Sequence, residues 1–151
     1  MIENHLTEEL EAFISEAVAD FRLPVKNGEM RAPKVIDGYL PPKRSGADDD
    51  FPFVLVRSES GVCDDGRTTV TVAFIIGCYT EEVDGYRYCL NVMSRIKNAL
   101  TMLQNGTLAN KYQLEFPIEW SLVPEQPYPY WQLDMTTKWV YNTPQFDIGE
   151  F

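Results

Sequence analysis

The sequence predicts an α+β fold in which two main helices pack on an antiparallel or mixed β-sheet of about five strands. Two segments carry apolar residues at helical spacing, one near the N-terminus and one after Asp84. Segments that alternate apolar and polar residues lie between and after them, in the order helix, three strands, helix, two strands. At 151 residues the chain is predicted to form a single domain with a frayed C-terminus.

The N-terminal segment has the pattern of an amphipathic helix that ends near Asp20. Thr7 is the predicted N-cap, and the acids that follow it suit the positive end of the helix dipole. His5, the only histidine, is predicted to lie in a frayed N-terminus. The residues that recur at three- and four-residue spacing are Leu6, Leu10, Phe13, Ile14, Ala17 and Phe21.

A short strand is predicted around Val35 to Leu40, where two prolines end it. The stretch KRSGADDD that follows has no large apolar residue to anchor it to a core. We therefore predict an exposed loop at about residues 41–51. Its acids, Asp48, Asp49 and Asp50, either bind a divalent cation through oxygen ligands or are solvated, and composition favours solvation.

Two segments rich in β-branched and aromatic residues follow, FPFVLVRS and TTVTVAFIIGCYT. The stretch ESGVCDDGR between them contains the Asp-Gly pair of a hairpin connection. Toward the end of the second segment both faces are apolar, which predicts a central strand. The residues expected to share one face of it are Val70, Val72, Phe74, Ile76 and Cys78.

The second helical pattern begins at Asp84 and stops at Asn105 and Gly106. An apolar stripe predicts which side of this helix packs on the sheet, and the other side carries three bases, Arg87, Arg95 and Lys97. The stripe consists of Tyr86, Cys89, Leu90, Met93, Ile96, Leu100 and Leu103.

The last two predicted strands lie in QLEFPIEWSL and WQLDMTTKWVY. Pro117 marks the first of them as an edge strand or a bulge, because proline cannot donate a hydrogen bond to the ladder. The connection between them is rich in proline and brings together three aromatic residues, Tyr128, Tyr130 and Trp131.

Composition excludes several classes of function. A net charge of -10 argues against a surface that wraps nucleic acid, which needs clustered Lys and Arg. Three cysteines without CxxC spacing predict reduced, mostly buried thiols and no zinc site or disulfide framework. A single histidine excludes triads and histidine metal clusters, and no Gly-rich phosphate loop is present. We expect no cofactor and no metal, and an enzyme that uses carboxylates has no specific support.

The chain is also predicted to work in the cytosol rather than in a membrane. Its longest apolar run is far shorter than the roughly 20 residues that a membrane span needs. The N-terminus has acids where a signal peptide needs a basic and then an apolar region.

Three segments together resemble tail terminator, or tail completion, proteins of long-tailed bacteriophages and prophages. They are FPFVLVR at 51–57, TVTVAFIIGCYTEEVDGYRYCLNVMSRIKNAL at 69–100 and LEFPIEWSLVPEQPYPYWQLDMTTKW at 114–139. The passage GCYTEEVDGYRY and the loop EQPYPYW are the most specific pieces. The resemblance is to a structural family without catalytic signatures.

This resemblance implies a small α+β subunit that forms a ring, often a hexamer, on the end of the tail tube. Such a minor tail protein ends tube polymerisation in the host cytoplasm and offers a surface to head-completion proteins. DNA passes through the ring without specific binding. Residues 1–20 and 113–151 each carry six acids, and we hypothesise that they line the lumen and repel the DNA. A different head-tail connector or baseplate adaptor remains the alternative.

Two candidate contacts have more than one interpretation. The aromatic loop with Tyr128, Tyr130 and Trp131 either covers the edge of its own sheet or anchors a neighbouring subunit or the tube, and the resemblance favours an anchor. The loop that contains Asp48, Asp49 and Asp50 either orders on assembly or stays mobile, and mobility is slightly favoured.

A third candidate contact involves charge. The basic side of the second helix either meets the acids of a first helix in an adjacent subunit or exchanges weak surface pairs within one chain. The bases are Arg87, Arg95 and Lys97, and the acids are Glu9, Glu11 and Glu16.

Overall fold

A computed structural model describes residues 2–40 and 50–142 of the chain. Most of the predicted loop at 41–51, including Asp48 and Asp49, lies outside the described residues. The C-terminal stretch predicted to be frayed lies outside them as well, from residue 143 onward.

Two helices and eight strands form within the described residues. The helices are α1, Ile2–Ala17, and α2, Tyr86–Thr101. The strands are β1 (Leu23–Pro24), β2 (Met30–Arg31), β3 (Lys34–Asp37), β4 (Phe53–Asp64), β5 (Arg67–Tyr79), β6 (Thr107–Leu108), β7 (Tyr112–Leu122) and β8 (Tyr130–Asn142).

Six of the strands form one mixed sheet in the order β3-β4-β5-β8-β7-β6. The β3–β4 pair is parallel and the other pairs are antiparallel. The predicted α+β class with two helices is therefore confirmed. The additional strands β1, β2 and β6 are two residues long, too short to show an alternating pattern in the sequence.

The hairpin between β4 and β5 is tighter than the sequence predicted. The strands continue through the whole ESGVCDDGR stretch and leave a two-residue turn at Asp65 and Gly66, both with positive φ. An Asp-Gly pair is typical of such a turn because its twist matches that of the strands. β5 lies between β4 and β8, which confirms it as a central strand.

Both helices pack on one face of the sheet and enclose the core. The five residues predicted to share a face of β5 are all buried there. Their partners on β8 are buried on the same face, because directly paired residues of neighbouring strands point the same way. These partners are Trp131, Leu133, Met135, Thr137 and Trp139.

The N-terminus differs from the prediction. Helix α1 begins at Ile2 rather than at Thr7, and it ends at Ala17. Thr7 is buried inside the helix, and its hydroxyl lies 3.1 Å from the Asn4 carbonyl oxygen and 3.1 Å from an Asp37 carboxylate oxygen. Thr7 therefore connects α1 to β3 instead of capping the helix.

His5 lies in α1 and not in a frayed end. Its Nδ1 is 2.6 Å from the hydroxyl of the fully buried Tyr112, and its Nε2 is 3.3 Å from the Glu9 carboxylate. The only histidine therefore links α1 to β7.

Strand β7 carries the predicted bulge. Three residues, Phe116 to Ile118, lie opposite the single residue Thr137, and Pro117 is among them. The strand pairs with β8 on one side, and on its other side β6 covers only Tyr112 and Gln113. Beyond that point β7 is an edge strand within the described residues, so both parts of the Pro117 prediction are confirmed.

Two of the three cysteines are buried, which confirms the prediction of mostly buried thiols. Cys78 and Cys89 are buried between β5 and α2, where a hydrogen bond with Cys89 and burial raise the pKa of Cys78. Cys63 is exposed on β4.

Among the described residues, no helix has the length and hydropathy needed to span a bilayer.

Candidate docking surface

The loop between β7 and β8, residues 123–129, is internally braced. The Gln126 side-chain nitrogen donates to the Val123 carbonyl at 2.5 Å and to the Gln132 carbonyl at 3.0 Å. Its side-chain oxygen accepts from the Gln132 backbone N–H at 2.7 Å. One amide side chain thus adds to the backbone hydrogen bond that the Val123 N–H donates to the Gln132 carbonyl at 3.3 Å, and three prolines restrict the rest of the loop.

The same loop is fastened to the β5–α2 loop, residues 80–85. The Thr80 N–H donates to the Pro129 carbonyl at 3.0 Å, and the Tyr128 hydroxyl donates to the Glu81 carbonyl at 2.5 Å. The Trp131 indole N–H donates to the Thr80 carbonyl at 3.0 Å. The two loops therefore present one surface that is held from both sides.

Close packing beneath this surface depends on Gly85. A methyl group in place of its hydrogen would overlap the Trp131 indole and the Thr80 side chain. Tyr86 packs on the same indole, with ring centroids 6.2 Å apart, and Tyr128 meets it edge-on at 6.1 Å. Trp131 is only 8% exposed. It lies in the core below the surface and is a support for the loops.

The outermost apolar side chains are Tyr128 and Val83, which are 56% and 89% exposed. We call them, with the loops 80–85 and 123–129 that carry them, the aromatic tip. The rim is charged: Glu81, Glu82 and Arg87 are exposed, and the Arg87 guanidinium lies 3.6 Å from the Asp84 carboxylate. A hydrogen bond to Tyr86 and the nearby Asp84 charge raise the pKa of Arg87. An apolar centre with a charged rim is typical of a protein-protein contact.

The three residues predicted to form the aromatic loop are separated by the structure. Tyr128 is exposed on the loop, whereas Tyr130 and Trp131 already belong to β8. Tyr130 packs on Phe51 and Tyr79 on the opposite face of the sheet. Trp131 is buried, so the prediction that it is an exposed anchor is wrong. Strand alternation explains the difference, because neighbouring residues of a strand point to opposite faces.

The bases of α2 do not form one cluster. Arg95 contacts the end of α1 in the same chain, with Nη1 2.6 Å from the Asp20 carboxylate and 3.2 Å from the Ala17 carbonyl oxygen. Arg87 lies in the first turn of α2 at the rim of the aromatic tip, and Lys97 is half-buried further along the helix. Both helices lie on one face of their own sheet, so Arg95 of α2 is close enough to the end of α1 to pair within the chain. The sequence alone did not decide between this pairing and one with an adjacent subunit.

The contact of Arg95 makes a prediction for acid solution. The hydrogen bond from Arg95 lowers the pKa of Asp20 from its ordinary value of 3.8. The stabilisation is therefore fully present above that value and is lost as the pH falls through the lowered pKa. We expect wild type to be more stable than Asp20→Asn at neutral pH and this difference to shrink as the pH falls below 3.8. Urea unfolding followed by circular dichroism at several pH values measures this, with exposed Glu8→Gln as the control.

Asp50 also differs from its prediction as a solvated loop acid. Only 14% of its side chain is exposed, and it lies 3.5 Å from the Lys34 ammonium at the start of β3.

Within residues 2–40 and 50–142, no group of three or more His, Cys, Asp or Glu side chains is arranged to hold a metal ion. An open groove of about 530 Å³ near the β4–β5 turn is lined by Arg67 and Glu115, which form an ion pair.

Comparison with known proteins adds no assignment. No protein-family model matches the chain, and no curated protein is significantly similar to it.

Proposed function

We propose that this protein is a structural component of a bacteriophage or prophage tail that forms a ring on the end of the tail tube. The ring would end tube polymerisation and provide the surface for head-completion proteins. Its partners would be copies of itself, most simply six, the tail-tube protein and a head-completion protein. It would assemble in the bacterial cytoplasm and remain in the virion tail.

The aromatic tip is the observation that carries this proposal. A tyrosine and a valine lie exposed on two loops that at least six hydrogen bonds hold in place. A rigid aromatic side chain loses little entropy when it is buried in a contact. The aromatic tip therefore favours binding to another protein. The reason for proposing a phage tail as the setting is the resemblance of segments 51–57, 69–100 and 114–139 to tail terminators.

The charge of the chain fits the same role. Exposed acids lie on α1, including Glu8 and Glu16, and on β7, including Glu119. If these surfaces face the lumen, like charge keeps DNA from adhering as it passes. An adaptor at the portal or baseplate would use the same fold with a different partner, and binding to portal protein instead of tube protein would favour it.

Mass in solution tests the proposal. Light scattering over a range of protein and salt concentrations, combined with negative-stain images, should show a ring or a monomer that becomes a ring as concentration rises. A ring held mainly by apolar burial keeps its mass as salt rises, whereas a ring held by ion pairs loosens. A ring that binds portal protein and does not bind tail tubes would contradict the proposal and support the alternative of a head-tail adaptor.

A further inference from the structure

Among residues 2–40 and 50–142, no strand covers about half of each edge of the six-stranded sheet. On one side β3 covers β4 only from Phe53 to Val56, so the stretch Ser58–Val62 pairs with β5 alone among the described residues. On the other side β6 covers only the start of β7, so the stretch Phe116–Leu122 has a described strand on one side only. We call these stretches the β4 half-edge and the β7 half-edge. The backbone groups available for regular pairing with another strand are those of Ser60–Val62 and Glu119–Leu122, because the ladders are irregular at Glu59 and at Phe116–Ile118, where Pro117 also lacks an N–H.

The two half-edges lie at opposite ends of the sheet. The β4 half-edge adjoins the turn at Asp65 and Gly66, whereas the β7 half-edge adjoins the aromatic tip. Strands β4 and β8 run one way and β5 and β7 run the other. When two copies stand side by side in the same orientation, β7 of one is therefore antiparallel to β4 of the next.

Joining the half-edges would displace each copy along the strand direction relative to its neighbour. Such a stagger accompanies the strand tilt of any sheet that closes on itself. Because the two half-edges are different surfaces, the contact is head-to-tail, and repeating it gives a closed ring when the rotation closes.

Side-chain size on the two half-edges is complementary. The β7 half-edge carries two large exposed side chains, Phe116 and Trp120. The β4 half-edge carries Ser58, Ser60 and Gly61, which leave room beside the backbone, and one exposed apolar residue, Val62. Large side chains beside small ones allow two strand edges to approach without a clash.

We propose that the β4 half-edge of a second copy of this chain adds to the β7 half-edge of the first as an antiparallel strand. The proposal rests on the proposed ring and specifies its subunit contact. Two aromatic side chains bury about 150–250 Å² each at most, whereas a stable interface needs about 800 Å² per partner. The aromatic tip directly continues the β7 half-edge, and the contact must include it to reach that area.

The charges of the half-edges predict how this contact responds to salt. The β4 half-edge carries Glu59 and the β7 half-edge carries Glu119, both exposed. Strand pairing brings like charges together, and screening reduces their repulsion. Association should therefore strengthen as salt rises, opposite to the behaviour of a ring held by ion pairs.

Charged substitutions on each half-edge test the contact in the full chain. Val62→Glu and Trp120→Glu should each reduce the mass at a given concentration from ring to monomer, because each adds a negative charge to a contact that already brings Glu59 and Glu119 together. Phe116→Glu is a second variant of the β7 half-edge at a more exposed position, in case Trp120→Glu fails to fold. Met30→Glu, at an exposed apolar residue of β2 outside the six-stranded sheet, adds the same charge and should leave the ring intact.

Mixing the two kinds of variant distinguishes head-to-tail pairing from pairing of like edges. Val62→Glu retains its β7 half-edge and Phe116→Glu retains its β4 half-edge, so their mixture should give heterodimers and no rings. Rings that persist in either single variant, or a wild-type chain that stays monomeric up to its solubility limit, would overturn the inference. Intact rings of both variants that still cap tail tubes would overturn the edge contact and leave the proposed function standing.

Discussion

Replacing Trp131 with alanine should lower the free energy of unfolding by about 3–5 kcal/mol. The side chain is almost fully buried and fills the space between β8, Gly85 and Tyr86. Its loss would also leave the Thr80 carbonyl without the indole donor. Since domains of this size are stable by about 5–15 kcal/mol in total, a large part of the stability depends on this residue.

Urea unfolding followed by far-ultraviolet circular dichroism measures this effect without relying on tryptophan fluorescence. Trp120→Ala is the matched control, since Trp120 is 46% exposed on β7 and should cost much less. Trp131→Phe keeps most of the packing and removes the hydrogen bond, so an intermediate loss is expected. Equal losses for Trp131→Ala and Trp120→Ala would contradict the assignment of Trp131 as the support of the aromatic tip.

Replacing Tyr128 with alanine should weaken ring assembly or tube binding by about 2 kcal/mol or more, which is roughly thirty-fold in affinity. The Tyr128 hydroxyl donates to the Glu81 carbonyl, which fixes the side chain at the centre of the aromatic tip, where interface hot spots are expected. The fold should tolerate the change, because the side chain is more than half exposed. Light scattering gives the association constant, and the urea midpoint shows that the subunit remains folded.

Met102→Ala is the control for this prediction. Met102 is 81% exposed just after α2. The substitution removes a large exposed apolar side chain at the end of α2 that lies away from the aromatic tip, outside both half-edges. If Met102→Ala and Tyr128→Ala weaken association equally, the aromatic tip is not the main contact.

Much of the fold could be predicted because the relevant interactions are local. The Asp-Gly pair determines the β4–β5 turn through the positive φ of Asp65 and Gly66. The apolar character of both faces near Ile75 indicates a strand with neighbours on each side. Both features depend on residues close in sequence, so the pattern alone is sufficient.

The misplaced residues depend on distant contacts. Trp131 is buried because of two residues more than forty positions earlier. Gly85 leaves space for its indole, and the Thr80 carbonyl accepts the hydrogen bond of the indole N–H. His5 is ordered because Tyr112 lies above it in the folded chain. Tertiary packing of this kind leaves no periodic signal in the local sequence.

The start of α1 illustrates a third case. Thr7 has the residue type of an N-cap, yet the segment before it is helical because the buried Leu6 extends the apolar stripe by one turn. Capping preferences amount to about 1 kcal/mol and give way to the burial of a leucine, which contributes about 1.5–3 kcal/mol.

The most direct test of the proposed role is the length of tail tubes. Tail-tube protein from the same genome would be polymerised with and without this chain and imaged by electron microscopy. The account predicts shorter tubes that carry a ring at one end and stop growing, and it predicts longer tubes with fewer rings when Tyr128→Ala is added instead at the same concentration. Tubes that keep growing, without a ring, in the presence of the folded wild-type chain would contradict it.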